Sequence, residues 1–145
     1  MRLRNVPNAY EKLRACSNFV SDPKEYKGKW YKYFDNDNPV HVEIGPGKGE
    51  FIVQLAQQNP QINYIAIEKF PAVLVKIIKK IPDEGIDNLA ITVFDAENLE
   101  EIFESGEVEK LYLNFSDPWP KKKHAKRRLT SPKFLKLYKR ILKQR

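Results

Sequence analysis

The chain has 145 residues, 41% of them hydrophobic, and a net charge of +7, which suits one domain with a real core and excludes wholesale disorder. No apolar run approaches the ~20 residues of a membrane span, and the first residues lead into no apolar segment of a secretory signal. Cys16 is the single cysteine, so an internal disulfide is excluded, and we expect a cytosolic protein with an inert, half-buried thiol.

Residues 1–38 mix charges with aromatic side chains and show no firm period. They are expected to form an arm over the main domain or a flap that contacts RNA. Packing is the expected use of most of these aromatics, which are Tyr10, Phe19, Tyr26, Trp30, Tyr31, Tyr33 and Phe34.

From Pro39 onward, short strands alternate with helices. The predicted strands cover residues 40–44, 62–67, 89–94 and 111–115. Helices are predicted from apolar residues at helical spacing, with Pro60 and Pro82 as stops and Pro71 and Pro132 in first turns. The expected apolar stripes are Phe51, Ile52, Leu55 and Ala56; Leu74, Ile77, Ile78 and Ile81; and, after an N-cap at Ser131, Phe134, Leu135, Tyr138, Ile141 and Leu142. A short acidic helix is expected over residues 97–104.

Strands rich in Ile, Val and Leu that alternate with helices predict an α/β fold with a doubly wound, mostly parallel sheet buried on both faces. We assign residues 1–38 to an N-terminal arm and residues 39–145 to this domain. Only four strands are predicted, whereas such sheets usually have five or more. We therefore expect a sheet that is incomplete at its C-terminal edge, as in a truncated chain.

A glycine loop follows the first strand, with the sequence Glu43-Ile44-Gly45-Pro46-Gly47-Lys48-Gly49. Glycines allow a sharp turn and a close approach of backbone to ligand. The dinucleotide fingerprint needs glycine at position 50, where this chain has Glu50, and the spacing of a phosphate-binding P-loop is absent. The loop suits a cationic nucleoside without phosphates, and S-adenosylmethionine meets both conditions, with Glu43 orienting the loop or the ligand's amino group.

Acidic residues end the next two strands. Glu68 lies 23 residues after Gly45, an offset at which a carboxylate accepts hydrogen bonds from ribose hydroxyls. Asp95, followed by Ala96, ends the third strand, where it could accept from an adenine amino group. Each acid alone is equally well explained as a helix cap, but three at the carboxyl ends of successive strands indicate a cofactor site.

The fourth strand leads into Asp117 and then into a basic run. Seven of the eight residues 121–128 are Lys, Arg or His, and residues 121–145 hold twelve Lys or Arg and no acid. The basic charge is therefore local, because the first 120 residues carry the other 14 basic residues and all 19 acidic ones. A carboxylate beside such a surface predicts chemistry on a nucleic acid.

These motifs resemble those of the bacterial tRNA (guanine-N7)-methyltransferase (TrmB) family. The resemblance covers roughly residues 40–143. It depends on the glycine loop, Ile67-Glu68, Asp95-Ala96 and above all the signature Leu113-Asn114-Phe115-Ser116-Asp117-Pro118-Trp119-Pro120-Lys121 with His124-Ala125-Lys126-Arg127-Arg128-Leu129-Thr130. The family's C-terminal part, with a substrate aspartate and a Thr-x-x-Glu element, is absent from this sequence.

The resemblance implies a Rossmann-like class I fold that uses S-adenosylmethionine to methylate a variable-loop guanine of tRNA. Its implied cofactor positions are Glu43, Gly45, Gly47, Gly49, Glu68, Asp95, Ala96 and Asp117. Asp117 is also the implied catalytic residue and Lys121 a substrate contact. The implied RNA contacts are Lys123, His124, Lys126, Arg127 and Arg128.

Two other functions remain open at this point. One is a methyltransferase for exocyclic amines, because Ser116-Asp117-Pro118-Trp119 partly matches an Asp-Pro-Pro-Tyr type of motif. The other is a non-catalytic or truncated RNA-binding relative. No His, Cys or Asp set has metal-ligand spacing, so we expect no metal.

Overall fold

The structure is a computed structural model that describes residues 7–47, 49–113 and 131–144. Its four strands form one parallel sheet, and they are β1 (Val40–Ile44), β2 (Asn63–Glu68), β3 (Leu89–Val93) and β4 (Lys110–Leu113). The strand order is β3-β2-β1-β4, so β1 is hydrogen-bonded on both sides. The predicted α/β class and parallel sheet are confirmed.

Five α-helices are described: α1 (Ala9–Arg14), α2 (Trp30–Phe34), α3 (Glu50–Gln58), α4 (Pro71–Ile78) and α5 (Pro132–Ile141). Two 3₁₀ helices, Pro23–Tyr26 and Ala96–Glu101, lie between them in the chain. The second replaces the acidic helix predicted over 97–104. Proline occupies the first turn of α4 and of α5, as predicted.

Apolar side chains form one cluster on each face of the sheet, which is what double winding requires. One cluster joins α2 and α5 to Val42 and Ile44 of β1, while the other joins α1, α3 and α4 to alternate residues of β2 and β3. Strand residues alternate between faces, so β2 and β3 contribute to both clusters, whereas the apolar residues of β1 and β4 belong to the first alone. The predicted apolar spacing therefore identified the core correctly in most positions.

Three details of the predicted helices were wrong. Phe51 and Leu135 are about half exposed, whereas Val53 and Leu137 are buried in their place. In both helices the buried stripe follows the 3.6-residue period, and the mispredicted residue lies about 100° away from it. The helix after Pro71 ends at Ile78 and gives way to a turn before Pro82.

The aromatic residues of the N-terminal region pack mainly against the sheet. Trp30 is fully buried, donates its Nε1 hydrogen to the Ile102 carbonyl at 2.9 Å and contacts the rings of Phe34 and Phe103. Packing is thus confirmed for Trp30 and Phe34, whereas Tyr10 and Tyr31 are exposed. The boundary between residues 38 and 39 stays a prediction.

Residues 18–20 cover the outer edge of β3. The amide of Val20 donates to the Ile91 carbonyl, and the amide of Ile91 donates to the Asn18 carbonyl, both at 2.8 Å. The Thr92 hydroxyl adds a bond to the Val20 carbonyl at 2.7 Å. Within the described part of the chain, no strand pairs with the outer edge of β4. One sheet edge is therefore closed by the N-terminal region.

Gly49 begins α3 at a close contact between helices. Its φ is +79°, and a Cβ there would lie 2.6 Å from Cγ1 and 2.8 Å from Cγ2 of Ile77 in α4. Any larger residue would therefore meet both a left-handed backbone and a buried side chain. Packing alone therefore explains why glycine occupies this position, independently of any ligand.

We expect Gly49→Ala to lower the free energy of unfolding by about 3–4 kcal/mol, because it adds overpacking to backbone strain. Gly106→Ala is the matched control, since Gly106 has a φ of +76° and a Cβ added there would meet no atom within 4 Å. The control should lose only about 1–2 kcal/mol. Urea unfolding followed by circular dichroism measures both, and equal losses would contradict the packing role.

Candidate functional site

The sheet has a topological switch point between β1 and β4. The chain leaves β1 into α3 on one face, whereas α5, after β4, packs on the other face. In open parallel sheets, diverging connections leave a crevice at the carboxyl ends of such strands, and ligands bind there. A ligand site is therefore expected at the carboxyl end of β1, on the side of β4.

The glycine loop turns at the carboxyl end of β1. Gly45, Gly47 and Gly49 all have positive φ angles, of 69°, 59° and 79°. The Gly45 amide donates to the Ile67 carbonyl at 2.9 Å, which fastens the loop to β2. The backbone thus explains why glycine occupies the three predicted positions, while their contact with a cofactor stays a prediction.

Glu43 is a buried carboxyl at the end of β1, next to this loop. Its exposed fraction is 4%, and its Oε1 atom has no hydrogen-bond partner among the described residues. Its neighbours in register are Ala66 of β2 and Tyr112 of β4. Burial raises the pKa of Glu43 to about 7. A carboxyl kept in such surroundings at a crevice indicates a functional group.

Glu68 and Asp95 also serve the backbone around them. Glu68 Oε1 accepts from the Phe70 amide at 3.3 Å, and Asp95 Oδ1 accepts from the Glu97 amide at 2.9 Å. The Asp95 contact caps the 3₁₀ helix that begins at Ala96. Asp95 is therefore a helix cap, which is the alternative considered for these acids. A role of Asp95 in ligand binding would be additional.

The two acids lie at the same edge of the sheet. The Phe94 amide donates to the Glu68 carbonyl at 3.0 Å, which holds the ends of β2 and β3 together. Asp95 also lies 3.6 Å from the Lys69 ammonium, and both side chains are partly exposed. The structure thus brings Glu43, the glycine loop, Glu68, Asp95 and the buried Ala96 to one end of the sheet, in strand order.

Two residues at this edge were missed by sequence reasoning. Phe70, the N-cap of α4, is 38% exposed, and the Lys69 ammonium lies 5.9 Å from the centre of its ring. A half-exposed aromatic ring at the edge that also holds Glu68 and Asp95 offers a flat apolar surface for stacking of a nucleoside base. The available signal was an aromatic residue two positions after a strand-ending acid.

The remaining predicted site residues lie outside the described residues. They are Asp117, Lys121, Lys123, His124, Lys126, Arg127 and Arg128, and Lys48 of the loop lies outside as well. Their roles stay predictions. In residues 7–47, 49–113 and 131–144, no group of three His, Cys, Asp or Glu side chains is arranged to hold a metal ion. No helix in those same ranges is long and apolar enough to cross a bilayer.

Comparison with known proteins identifies relatives of the whole described region. A family model described as "Putative methyltransferase" (Methyltransf_4) matches residues 37–145. The tRNA (guanine-N(7)-)-methyltransferase of Lachnoclostridium phytofermentans is 53% identical over 142 residues, which are 98% of this chain and 66% of that protein. The enzyme of the same name from Bacillus subtilis is 50% identical over 143 residues, 98% of this chain and 67% of that protein. The chain thus spans about two thirds of the length of these relatives.

Solved structures share the fold at low sequence identity. The 16S rRNA (adenine(1408)-N(1))-methyltransferase W203A mutant of Catenulisporales acidiphilia, solved with the cosubstrate SAM, superposes with a TM-score of 0.57 at 16% identity. The superposition covers 84% of this chain and 58% of the other. It supports a Rossmann-like methyltransferase fold.

We expect Glu43→Gln to stabilise the protein at high pH. Because the folded-state pKa of Glu43, about 7, exceeds its ordinary value of 4.5, the stability that the neutral carboxyl provides is complete below pH 4.5 and lost as the pH rises through 7. At pH 8 the variant should gain up to about 3 kcal/mol in free energy of unfolding, and the gain should vanish towards pH 4.5.

Denaturant unfolding at several pH values measures this gain. Glu84→Gln is the control, because Glu84 is an exposed carboxyl in a loop and its replacement should change little. Parallel pH profiles for wild type and Glu43→Gln would contradict the burial argument.

Proposed function

Because the chain belongs to the tRNA (guanine-N(7)-)-methyltransferase family, we propose that it transfers a methyl group from S-adenosylmethionine to N7 of a variable-loop guanine in tRNA. The structural observation that carries the proposal is the buried Glu43 carboxyl beside the glycine loop at the switch point. With tRNA as substrate, the cytoplasm is the proposed compartment.

The residues at this edge fit S-adenosylmethionine. When bound, it supplies an electrophilic methyl group. Glu43 has an oxygen without a described partner and would receive the cationic amino group. Glu68 would accept from the ribose hydroxyls, and Asp95 would lie near the adenine. The left-handed turns at Gly45 and Gly47 carry no side chain, so the backbone could approach the ligand closely.

The reaction requires little acid–base catalysis by the protein. Guanine N7 carries a lone pair on the major-groove edge of the base and needs no deprotonation before attack. The main task is then to align N7 with the methyl group. Positive charge moves onto the purine during transfer, so Asp117 acts as an orienting and electrostatic group that favours this charge. Lys121 contacts the substrate, and residues 123–128 hold the RNA backbone.

Binding of S-adenosylmethionine should release a proton near pH 6. The carboxyl of Glu43 is mostly neutral there, and an incoming cation beside it favours the anion and so lowers its pKa. Calorimetric titrations in two buffers of different ionisation enthalpy count the protons released. We expect up to one proton for wild type and none for Glu43→Gln, whose affinity should fall at least tenfold.

The control for this titration is Glu84→Gln, which should behave as wild type. Proton release that persists in Glu43→Gln would contradict the role of Glu43. A wild-type chain that binds tRNA and no S-adenosylmethionine would instead favour the non-catalytic RNA-binding alternative.

We expect Asp117→Ala to abolish methylation while the affinity for S-adenosylmethionine falls less. Transfer of labelled methyl groups to tRNA, followed by mapping of the modified atom, measures the activity of both proteins. Methylation at an exocyclic amine would support the other alternative and contradict the proposed reaction. Near-normal turnover by the variant would contradict the assigned role of Asp117.

A further inference from the structure

The surface of α5 is rich in cations that the proposed site does not use. Residues 131–144 contain five basic residues and no acid: Lys133, Lys136, Lys139, Arg140 and Lys143. All five are exposed. Their opposite side is apolar, because Phe134, Leu137, Tyr138 and Ile141 are buried against the sheet. The helix therefore presents a mostly basic surface to solvent, interrupted by the half-exposed Leu135.

Two of these cations have partners within the fold. The Lys133 ammonium lies 3.1 Å from Glu97, and the Arg140 guanidinium lies 2.6 Å from Glu100. Both acids belong to the 3₁₀ helix Ala96–Glu101, so these pairs join α5 to the segment that follows β3. The charges of Lys133 and Arg140 are thus already paired, on one side of the helix.

Lys136, Lys139 and Lys143 form no ion pair with any described residue. Within α5, Lys136 and Lys139 lie about 60° apart around the axis, on the side opposite the buried Ile141. Lys143 follows just after the helix, and its amide donates to the Val108 carbonyl at 2.7 Å, which fixes its backbone. These three residues, here called the lysine strip, are the cations that remain available for a partner.

Helix α5 begins near the crevice, and the lysine strip lies along its second half and just beyond it. The end of α5 bonds to Val108, just before β4, through the Ile141 carbonyl at 3.0 Å. Its first turn pairs with Glu97, just after the carboxyl end of β3. The helix therefore runs back from the carboxyl edge of the sheet for about 15 Å. In the sequence, the basic run 121–128 comes directly before it.

We propose that the lysine strip is a second phosphate-binding surface for tRNA, separate from residues 121–128. This inference rests on the proposed function. Lysine ammonium groups on flexible stems suit phosphate contacts, which add affinity without base reading. A shallow depression lined by Lys136, Lys139, Arg140 and Gln144 gives a backbone phosphate a place to lie. The strip extends the contact with RNA along the outside of the domain.

The test compares two charge-matched double variants of the 145-residue chain. Lys136→Gln with Lys139→Gln alters the strip, whereas Lys76→Gln with Lys79→Gln removes two exposed lysines of α4 and its C-cap, on the opposite face of the sheet. Affinity for tRNA is measured over a range of salt concentrations. Calorimetry measures the affinity for S-adenosylmethionine, and circular dichroism checks the fold.

We expect the strip variant to bind tRNA about tenfold more weakly, and its slope of log affinity against log salt to shrink by about 1–2. The control should change less than twofold, and both variants should bind S-adenosylmethionine as wild type does. Equal losses in the two variants, or unchanged binding by the strip variant, would overturn the proposal. Failure of wild type to bind tRNA at all would instead overturn the proposed function, and the strip with it.

Discussion

The register of β1 is the constraint on which the site depends. This strand is hydrogen-bonded to β2 and β4, and all five of its residues are buried. Val42 and Ile44 face one apolar cluster, so Glu43 must face the other side. A slip by one residue would place the carboxyl in the wrong cluster and the apolar residues beneath α3. Ladder pairing on both sides of β1 prevents this slip and so fixes the position of Glu43.

The three acids at the strand ends differ in the local contacts that their carboxylates make. Asp95 caps a 3₁₀ helix and Glu68 accepts from a backbone amide, so both have local reasons to be acidic. Glu43 has no such described contact for its Oε1 atom and is the most buried of the three. A buried carboxyl oxygen that lacks a hydrogen-bond partner disfavours folding. Its burial at the crevice is consistent with a compromise between stability and ligand binding.

Much of the fold followed from sequence pattern because the pattern directly reports burial. The strand Val40–Ile44 and the helix starts at Pro71 and Pro132 were predicted where they occur. Phe51 and Leu135 were misplaced because an apolar residue at the border of a stripe looks the same in sequence whether it is covered or not. The pairing of residues 18–20 with β3 was not predictable, since it joins distant segments through backbone atoms, which carry no sequence signal.

For the candidate site, the sequence located the glycines and acids. It did not show which of them have a structural role and which are available to bind a ligand. The collision between a Cβ at position 49 and Ile77 depends on how closely α3 approaches α4. The ion pairs that distinguish Lys133 and Arg140 from their neighbours depend on the placement of a segment about 40 residues earlier. Both contacts depend on the tertiary structure. Both change which residues are candidates for a functional role.

The backbone bonds between residues 18–20 and β3 bear on how this domain can be divided. Protein cut at residue 37, where the family-model match begins, would expose the Ile91 amide and carbonyl on the outer edge of β3. Such an edge is a template for cross-molecular β-pairing, and therefore for aggregation. The N-terminal segment thus protects this edge of the sheet, and a shortened chain that keeps the protection must begin before Asn18.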